Sequence, residues 1–162
     1  MDSDHQEQIH KALQRAYHFL KFRPRSKDEL KQYLQKKAEK YHWNTVVQEK
    51  TLRILEEQKF IDDRAFLEWY VEQRTSHKPR AARAIKYELA RFRIDPDLLQ
   101  QYFTDLKLPE DSLALHALEQ RWSRYNSLDR QKRFEKAAAF LSRRGFSFGS
   151  IKKAIAIMEG RE

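Results

Sequence analysis

Basic side chains dominate the segment from Lys78 to Arg93, which contains six cations and a single anion, Glu88. Apolar residues recur there at the spacings of three and four that mark one face of a helix: Ala82, Ile85, Leu89 and Phe92. The other side of such a helix carries Arg80, Arg83, Tyr87 and Arg91. Guanidinium groups arranged around one aromatic ring suit a polyanion or an acidic protein groove.

Positive charge recurs on both sides of this segment, near the start of an earlier helix and along a later one. Phosphate contacts from such side chains are independent of base sequence and weaken as salt increases. The alternative is a solvated charged face. The residues that we predict to bind DNA or a protein partner are Arg23, Arg25, Lys27, Lys31, Arg74, Arg80, Arg83, Lys86, Tyr87, Arg91, Arg93, Lys132, Arg133, Lys136, Arg143 and Arg144.

The composition agrees with a basic, folded protein. The 162 residues include 33 Lys plus Arg against 24 Asp plus Glu, a net charge of +9, which favours an anionic partner. Three Trp, seven Tyr and ten Phe supply enough apolar surface for a core. The start of the chain lacks the apolar region of a signal peptide, and no apolar run reaches the roughly 20 residues of a membrane span. We therefore expect a cytoplasmic protein without membrane association.

No residue pattern indicates an enzyme, a metal site or a cofactor. The absence of cysteine excludes thiolate catalysis and cysteine zinc sites, and the six histidines show no ligand spacing. The segment Gly145–Gly149 matches G-x-S-x-G, but a nucleophile elbow needs a preceding strand, and a helix precedes it here. Asp62 and Asp63 are too few carboxylates for a metal-dependent nuclease, so helix capping explains them better.

Helical periodicity and capping signals continue along the whole chain. Ser26 and Glu29 form a predicted capping box, Asn44 and either Asp62 or Asp63 are candidate caps, and Pro79 suits the first turn of a helix. Asp95-Pro96 starts another helix, and Ser147 caps the last one. No stretch alternates with the period of a strand. The sequence therefore predicts an all-α fold with about nine helices.

The helices repeat with a period near 50 residues when Pro24, Pro79 and Gln131 are aligned. The alignment places Leu30, Ile85 and Ala137 at one apolar position, and Leu34, Leu89 and Leu141 at the next. About four extra residues around 39–42 bring Trp43 opposite Ile94 and Phe146. We predict an N-terminal helix and first three-helix repeat in 1–62, a second repeat in 63–108 and a third in 109–162. Small repeats bury their apolar faces by stacking, which predicts an elongated, curved rod.

The order and spacing of several short motifs resemble the RecX regulatory proteins of bacteria, over roughly residues 12–158. This resemblance implies three three-helix repeats and binding to the RecA recombinase filament on DNA, with effects on filament growth, ATPase activity and strand exchange. The chain departs from the family pattern at Arg93 and Lys78, where glycine is common. The motifs are Arg25-Ser26-x-x-Glu29-Leu30, Phe60-Ile61-Asp62-Asp63-x-x-Phe66, Arg74 with Arg80-x-x-Arg83-x-Ile85-x-x-Glu88-Leu89, and Phe140-Leu141-x-x-Arg144-Gly145-Phe146.

Two functions remain open at this stage. The first is a non-enzymatic regulator of recombination and DNA repair that binds in the groove of the RecA–DNA filament as a monomer. It would also bind single- and double-stranded DNA non-specifically, and we expect it to inhibit rather than assist the recombinase. The alternative is a transcription factor that resembles helix-turn-helix proteins. Its recognition helix would need base-reading side chains at its start, whereas the last helix of the second repeat begins with Pro96-Asp97, which repels phosphate.

Overall fold

The computed structural model of the protein describes residues 2–161, apart from the side chain of Asp2. All regular secondary structure in that range is helical, which confirms the predicted all-α fold. Two short 3₁₀ turns, Ala90–Phe92 and Trp122–Tyr125, follow α5 and α7. The nine α-helices are α1 (Asp2–Leu20), α2 (Lys27–Tyr41), α3 (Thr45–Glu57), α4 (Asp63–Ser76), α5 (Ala82–Leu89), α6 (Pro96–Leu106), α7 (Glu110–Glu119), α8 (Arg130–Arg143) and α9 (Phe148–Glu159).

The helices form two compact units. The first comprises the described residues up to Trp69 together with Phe92–Leu98, and the second comprises Tyr70–Arg91 and the described residues from Leu99 onward. In the first unit α1, α2 and α3 pack against one another. Their shared core is built from side chains that lie at the predicted helical spacings, namely Ala12, Ala16, Leu30, Leu34, Val47 and Leu55.

In the second unit α7, α8 and α9 enclose a second core. Side chains from these three helices and from the turns between them fill it, and Ala81, the residue before α5, joins them. Two large apolar side chains of this unit, Leu106 and Phe134, remain partly exposed. The fully or nearly fully buried members of this core include Ala114, Leu118, Ala137, Leu141, Phe146, Ile151 and Ile155.

One turn occurs three times, once in each predicted repeat. A residue with left-handed backbone ends the first of two helices, at φ 56° for His42, 49° for Arg93 and 87° for Gly145. A buried apolar residue follows in each case, and the next residue caps the second helix. The three turns are His42-Trp43-Asn44, Arg93-Ile94-Asp95 and Gly145-Phe146-Ser147. This correspondence confirms the predicted alignment of the repeats, including the extra residues that lengthen α2.

Side-chain caps start most of the helices where the sequence predicts them. Ser26 and Glu29 form the expected capping box, and Asn44 Oδ1 accepts a hydrogen bond from the Val47 N–H at 3.0 Å. Asp62, rather than Asp63, caps α4, because its Oδ1 accepts the N–H groups of residues 64 and 65. Asp63 instead accepts the Lys27 N–H at 2.8 Å.

The start of α5 differs from the sequence prediction. Pro79 does not lie in the first turn of the helix, which begins only at Ala82. The preceding residues stay extended because they bond to the turn before α9. The Ala81 N–H donates to the Arg144 carbonyl at 3.0 Å, and Arg144 Nη1 donates to the Pro79 carbonyl at 3.2 Å. These tertiary hydrogen bonds outweigh the local preference of proline for a helix start.

Candidate polyanion-binding surface

Helix α5 presents its most exposed side chains on one face. Tyr87 is 85% exposed, the highest value among the large apolar side chains of the described residues, and Arg83 lies one turn before it. The apolar face of the same helix buries Ile85 and Leu89 completely. The core therefore fixes the rotation of α5 about its axis and leaves Arg83 and Tyr87 directed toward solvent.

Arg80 is not part of this helical face, contrary to the sequence prediction. It precedes α5, and its Nη1 lies 2.8 Å from Glu88 Oε1. Arg74 Nε donates to Glu88 Oε2 at 2.7 Å, and the Tyr70 hydroxyl donates to the same oxygen at 2.8 Å. Burial and the adjacent carboxylate raise the pKa of Tyr70. Arg74 and Arg80, both predicted to bind the ligand, are therefore paired with Glu88, the single acidic residue of the segment from Lys78 to Arg93.

The ion pairs of Glu88 have an electrostatic consequence for the exposed face of α5. The carboxylate is bonded to Arg74, Arg80 and Tyr70, so it does not compete with a bound anion for Arg83. Arg83 forms no ion pair with any other residue in the described range. Lys86 is exposed, and its ammonium nitrogen lies 5.0 Å from the centre of the Phe103 ring.

The turn before α9 brings the third repeat against the start of α5. A Cβ placed on Gly145 would lie 2.7 Å from the Cβ of Ala84, so glycine permits the close approach of the two backbones. Arg144 stacks over the Phe140 ring at 4.7 Å. Arg144 is half-buried, and burial and the nearby Arg80 and Arg121 lower its pKa.

Arg83 lines an open groove that no pattern in the sequence indicates. The groove has a volume of about 580 Å³, and small side chains leave room in it. Phe148, the first residue of α9, lines it and is 65% exposed. The ammonium of Lys152 lies 5.5 Å from the Phe148 ring centre. The lining residues are Arg83, Ala138, Ala139, Ser142, Phe146, Ser147, Phe148 and Ile151.

The predicted cations of the first repeat are largely paired. Arg23 donates to both carboxylate oxygens of Glu29, at 3.1 and 2.5 Å, and Arg25 stacks over Phe19 at 4.1 Å. Burial lowers the pKa of Arg25. Lys27 forms an ion pair with Glu56. Lys31 is exposed, and it forms no ion pair within residues 2–161.

The cations of the third repeat divide in the same way. Lys132 lies 3.4 Å from the Asp129 carboxylate, and Arg133 places its guanidinium 5.5 Å from the centre of the Trp122 ring. Lys136 and Arg143 are exposed on α8, with no ion pair to any residue that the structure describes. The predicted cationic ligands that are exposed and form no ion pair within the described part of the chain are therefore Lys31, Arg83, Lys86, Arg93, Lys136 and Arg143. Arg91 is also exposed, within the 3₁₀ turn that follows α5.

The two segments that resemble catalytic or metal-binding motifs have structural explanations. Ser147 Oγ accepts the Ser150 N–H at 3.4 Å at the start of α9, so the G-x-S-x-G segment is a helix-to-helix turn. Asp62 and Asp63 are both engaged by backbone N–H groups. Within residues 2–161 no three His, Asp or Glu side chains converge as metal ligands would. None of the described helices combines the length and the apolar character needed to cross a membrane.

Three family models match the chain in succession. They describe the first, second and third three-helix domains of RecX and match residues 12–39, 62–102 and 109–155. The turns at Arg93-Ile94-Asp95 and Gly145-Phe146-Ser147 lie inside the second and third matches, and the turn at His42-Trp43-Asn44 begins three residues after the first match ends.

Curated relatives of this chain carry the name regulatory protein RecX. The protein of Geobacillus thermodenitrificans is 31% identical over 159 residues, which cover 94% of this chain and 55% of that protein. The Oceanobacillus iheyensis protein is 28% identical, with 95% and 56% covered. The chain thus spans about half the length of these two relatives. The Chlorobium phaeobacteroides protein is 32% identical over 122 residues, which cover 74% of this chain and 77% of that protein.

Two solved structures share the fold. The crystal structure of RecX from Lactobacillus salivarius superposes with a TM-score of 0.73 at 19% identity, covering 94% of this chain and 97% of that one. A second crystal structure of regulatory protein RecX gives a TM-score of 0.69 at 23% identity, covering 90% and 71%. At these identities the likeness concerns the fold alone.

Proposed function

The chain belongs to the RecX family, and we propose that it is a non-enzymatic regulator of homologous recombination that acts on the RecA recombinase. In this proposal it binds as a monomer in the groove of the RecA–DNA filament and inhibits filament assembly, ATPase activity and strand exchange. Its three repeats, 1–62, 63–108 and 109–162, would contact successive parts of the filament. Family membership supports the partner, and the charge arrangement on the helices supports the mode of binding.

The observation that carries the mode of binding is the exposed cationic face of α5. Arg83 has no internal counter-ion among the described residues, because Glu88 is held by Arg74 and Arg80. A guanidinium that remains solvated in the free protein loses no internal ion pair when it binds a phosphate or carboxylate. Exposed cations also occur in the other two repeats, at Lys31, Lys136 and Arg143.

The remaining residues of the predicted set take a supporting part in this proposal. Arg23, Arg74 and Arg80 are paired with carboxylates, and they orient the segments that carry the exposed cations. DNA phosphates bound by the exposed cations would be contacted without regard to base sequence. Single-stranded and duplex DNA of random sequence are therefore both expected ligands, with affinities that fall steeply as salt increases.

The alternative of a sequence-specific transcription factor is less well supported. Each repeat contains two helices joined by a tight turn, as helix-turn-helix proteins do. However, α6 begins with Pro96 and Asp97, and the Asp95 carboxylate caps it by accepting two backbone N–H groups. Two carboxylates at the start of a helix would face the phosphates of a major groove. Equal binding to unrelated DNA sequences would separate the regulator from this alternative.

The test compares RecA ATPase activity and filament length with and without the full chain and two single variants. Arg83→Ala removes an exposed guanidinium from α5. Arg124→Ala, the control, removes the same charge from an exposed residue outside the predicted set. We expect the wild-type protein and the Arg124 variant to inhibit both readouts, and the Arg83 variant to need a higher concentration for the same inhibition.

The DNA affinity of the same variants supplies a second readout. Loss of one phosphate contact lowers the slope of log affinity against log salt by about 0.9 for duplex DNA. We expect this change for Arg83→Ala and no change for Arg124→Ala. If the wild-type chain alters neither ATPase activity nor filament length, the proposed function is wrong. If both variants inhibit equally well, the assigned surface is wrong.

A further inference from the structure

Two strongly exposed aromatic rings lie near Arg83 in the second unit. Phe148 shares the open groove with Arg83, and Tyr87 follows Arg83 by one turn of α5, a rise of about 6 Å. Phe148 and Tyr87 are 65% and 85% exposed. A single exposed aromatic residue needs no explanation, but two rings that alternate with cations form a recognisable surface.

We propose that Phe148, Arg83 and Tyr87 form a binding track for single-stranded nucleic acid, in which the two rings stack on bases. In this proposal Arg83, which shares the groove with Phe148 and precedes Tyr87 by one turn of α5, contacts the phosphate that joins the two stacked nucleotides. Lys152, beside Phe148, and Lys86, beside Tyr87, bind the flanking phosphates. This proposal rests on the proposed function in that it specifies which form of DNA one part of the surface binds.

The local charge favours an anionic ligand along this track. The groove between Arg83 and Phe148 is lined by one cation and by apolar or small polar residues, with no carboxylate among them. The acidic residues near the start of α9 are already engaged. Glu110 Oε1 accepts the Ser147 N–H at 2.6 Å, and Asp111 Oδ2 lies 2.7 Å from Lys153 Nζ. Both carboxylates line a separate depression, so they do not oppose a phosphate beside Arg83.

The form of the surface favours a single strand over a duplex. Bases in a duplex stack on their neighbours, and their faces are not available to a protein ring unless the duplex is distorted. Bases of a single strand expose both faces, and stacking on an aromatic side chain contributes about 1–3 kcal/mol per base with little dependence on sequence. Cations that alternate with exposed rings are the usual means of binding single strands without sequence preference.

An acidic peptide fits the same surface less well. Anchoring side chains of a peptide usually fill well-packed, desolvated pockets at the centre of an interface. Here both rings are strongly exposed, and the groove that Phe148 shares with Arg83 is open and lined by small residues such as Ala138 and Ala139. Flat bases can lie against such rings without entering a deep pocket. We therefore assign nucleic acid rather than protein as the ligand of this track.

The experiment measures binding of labelled oligodeoxythymidine and of a random-sequence duplex to the full chain by fluorescence anisotropy. The variants Tyr87→Ala and Phe148→Ala remove one ring each, and Tyr87→Phe and Phe148→Trp keep a ring. Both side chains are largely exposed, so neither alanine variant is expected to unfold, and melting curves check this. Ile157→Ala, which removes another exposed apolar side chain, is the matched control.

We expect each alanine variant to lower the affinity for the single strand about 5- to 150-fold. Affinity for the duplex should change by less than about twofold, and the salt dependence should stay the same because no charge is removed. The variants that keep a ring, and the control, should bind as the wild type does. Equal losses for single strand and duplex, or no loss for either, would overturn the proposed track.

Two outcomes distinguish this proposal from the proposed function. If the alanine variants bind single strands normally but no longer inhibit RecA, the rings contact protein, and the track is wrong while the regulatory function stands. If they lose single-strand binding as expected and the wild-type chain has no effect on RecA, the track is correct and the regulatory function is wrong. Each result is obtained with the same purified proteins in the same buffers.

Discussion

Replacing Gly145 with alanine perturbs the place where the third repeat meets the start of α5. Gly145 has φ +87°, a backbone conformation that residues with a Cβ adopt at a cost of about 1–2 kcal/mol. The added Cβ would also lie 2.7 Å from Ala84 Cβ and 3.2 Å from the Ala84 nitrogen. The atoms met are the backbone and the Cβ of Ala84, which cannot rotate away from the added Cβ. Relief of this clash therefore requires α5 to move, at a cost of about 1–3 kcal/mol.

The two costs add to a loss of about 2–5 kcal/mol in the free energy of unfolding, against a typical total of 5–15 kcal/mol for a domain. For a chain of this size the melting temperature should fall by about 10 °C. Thermal and urea unfolding followed by far-UV circular dichroism measure the change. Movement of α5 should also displace Arg83, so the DNA affinity of the variant should fall even at temperatures where it remains folded.

Two control variants isolate the physical cause. Gly149 lies in α9, and a Cβ there meets no atom within 4 Å, so Gly149→Ala should stabilise the chain by about 0.5–1 kcal/mol. Arg93 occupies the position in the second repeat that is equivalent to Gly145, at φ 49°. Arg93→Gly should therefore be neutral or stabilise by up to about 1 kcal/mol. A Gly145→Ala variant as stable as Gly149→Ala would refute both the strain and the contact.

Three further predictions concern other parts of the structure. Glu88→Gln should lower the free energy of unfolding by about 1–2 kcal/mol, because it breaks ion pairs with two guanidiniums. The same change should raise the DNA affinity and steepen its salt dependence, because the released guanidiniums can bind phosphate. An unchanged slope in salt titrations would contradict this. Burial raises the pKa of Asp63 in the folded state above its ordinary 3.8. The contribution of Asp63 to the free energy of unfolding is therefore complete below pH 3.8 and is lost as the pH rises through the folded-state pKa. Asp63→Asn, which keeps an acceptor for the Lys27 N–H, should flatten that pH dependence in urea titrations at a series of pH values, and a parallel curve would count against it. Asn44→Ala should cost about 1 kcal/mol through loss of the α3 cap, and thermal melts with no measurable change would show that the cap is not needed.

Much of the fold follows from interactions within one or two turns of a helix. The capping box at Ser26, the cap at Asn44 and the spacing of Leu30 and Leu34 involve residues that are close in sequence, so the pattern itself indicates the structure. The repeat was recognisable for the same reason, since each turn reuses one order of left-handed residue, buried residue and cap. The boundaries of the repeats at 62 and 108 stay predictions.

The proposed binding residues were less predictable, because the state of a charged side chain depends on its neighbours in space. Arg80 and Arg83 are equivalent in the sequence pattern, yet one pairs with Glu88 and the other is solvated. The difference arises because α5 begins only at Ala82. Arg80 lies before the helix, where hydrogen bonds to Arg144 hold the chain extended. Phe148 gave no signal beyond an apolar residue after a cap, which is more often buried than exposed.

The amino-acid sequence by itself determined the all-helical fold, most of the helix starts, the three-helix repeats and the excess of positive charge. These depend on backbone preference, side-chain periodicity and composition, all of which act over short distances along the chain. Only the tertiary structure decided which cations are neutralised and which aromatic rings lie beside them. Glu88 meets Arg74 from another helix, and Phe148 lines a groove with Arg83, which lies far from it in sequence. Such neighbours are brought together by burial of the apolar core, and no local pattern records them.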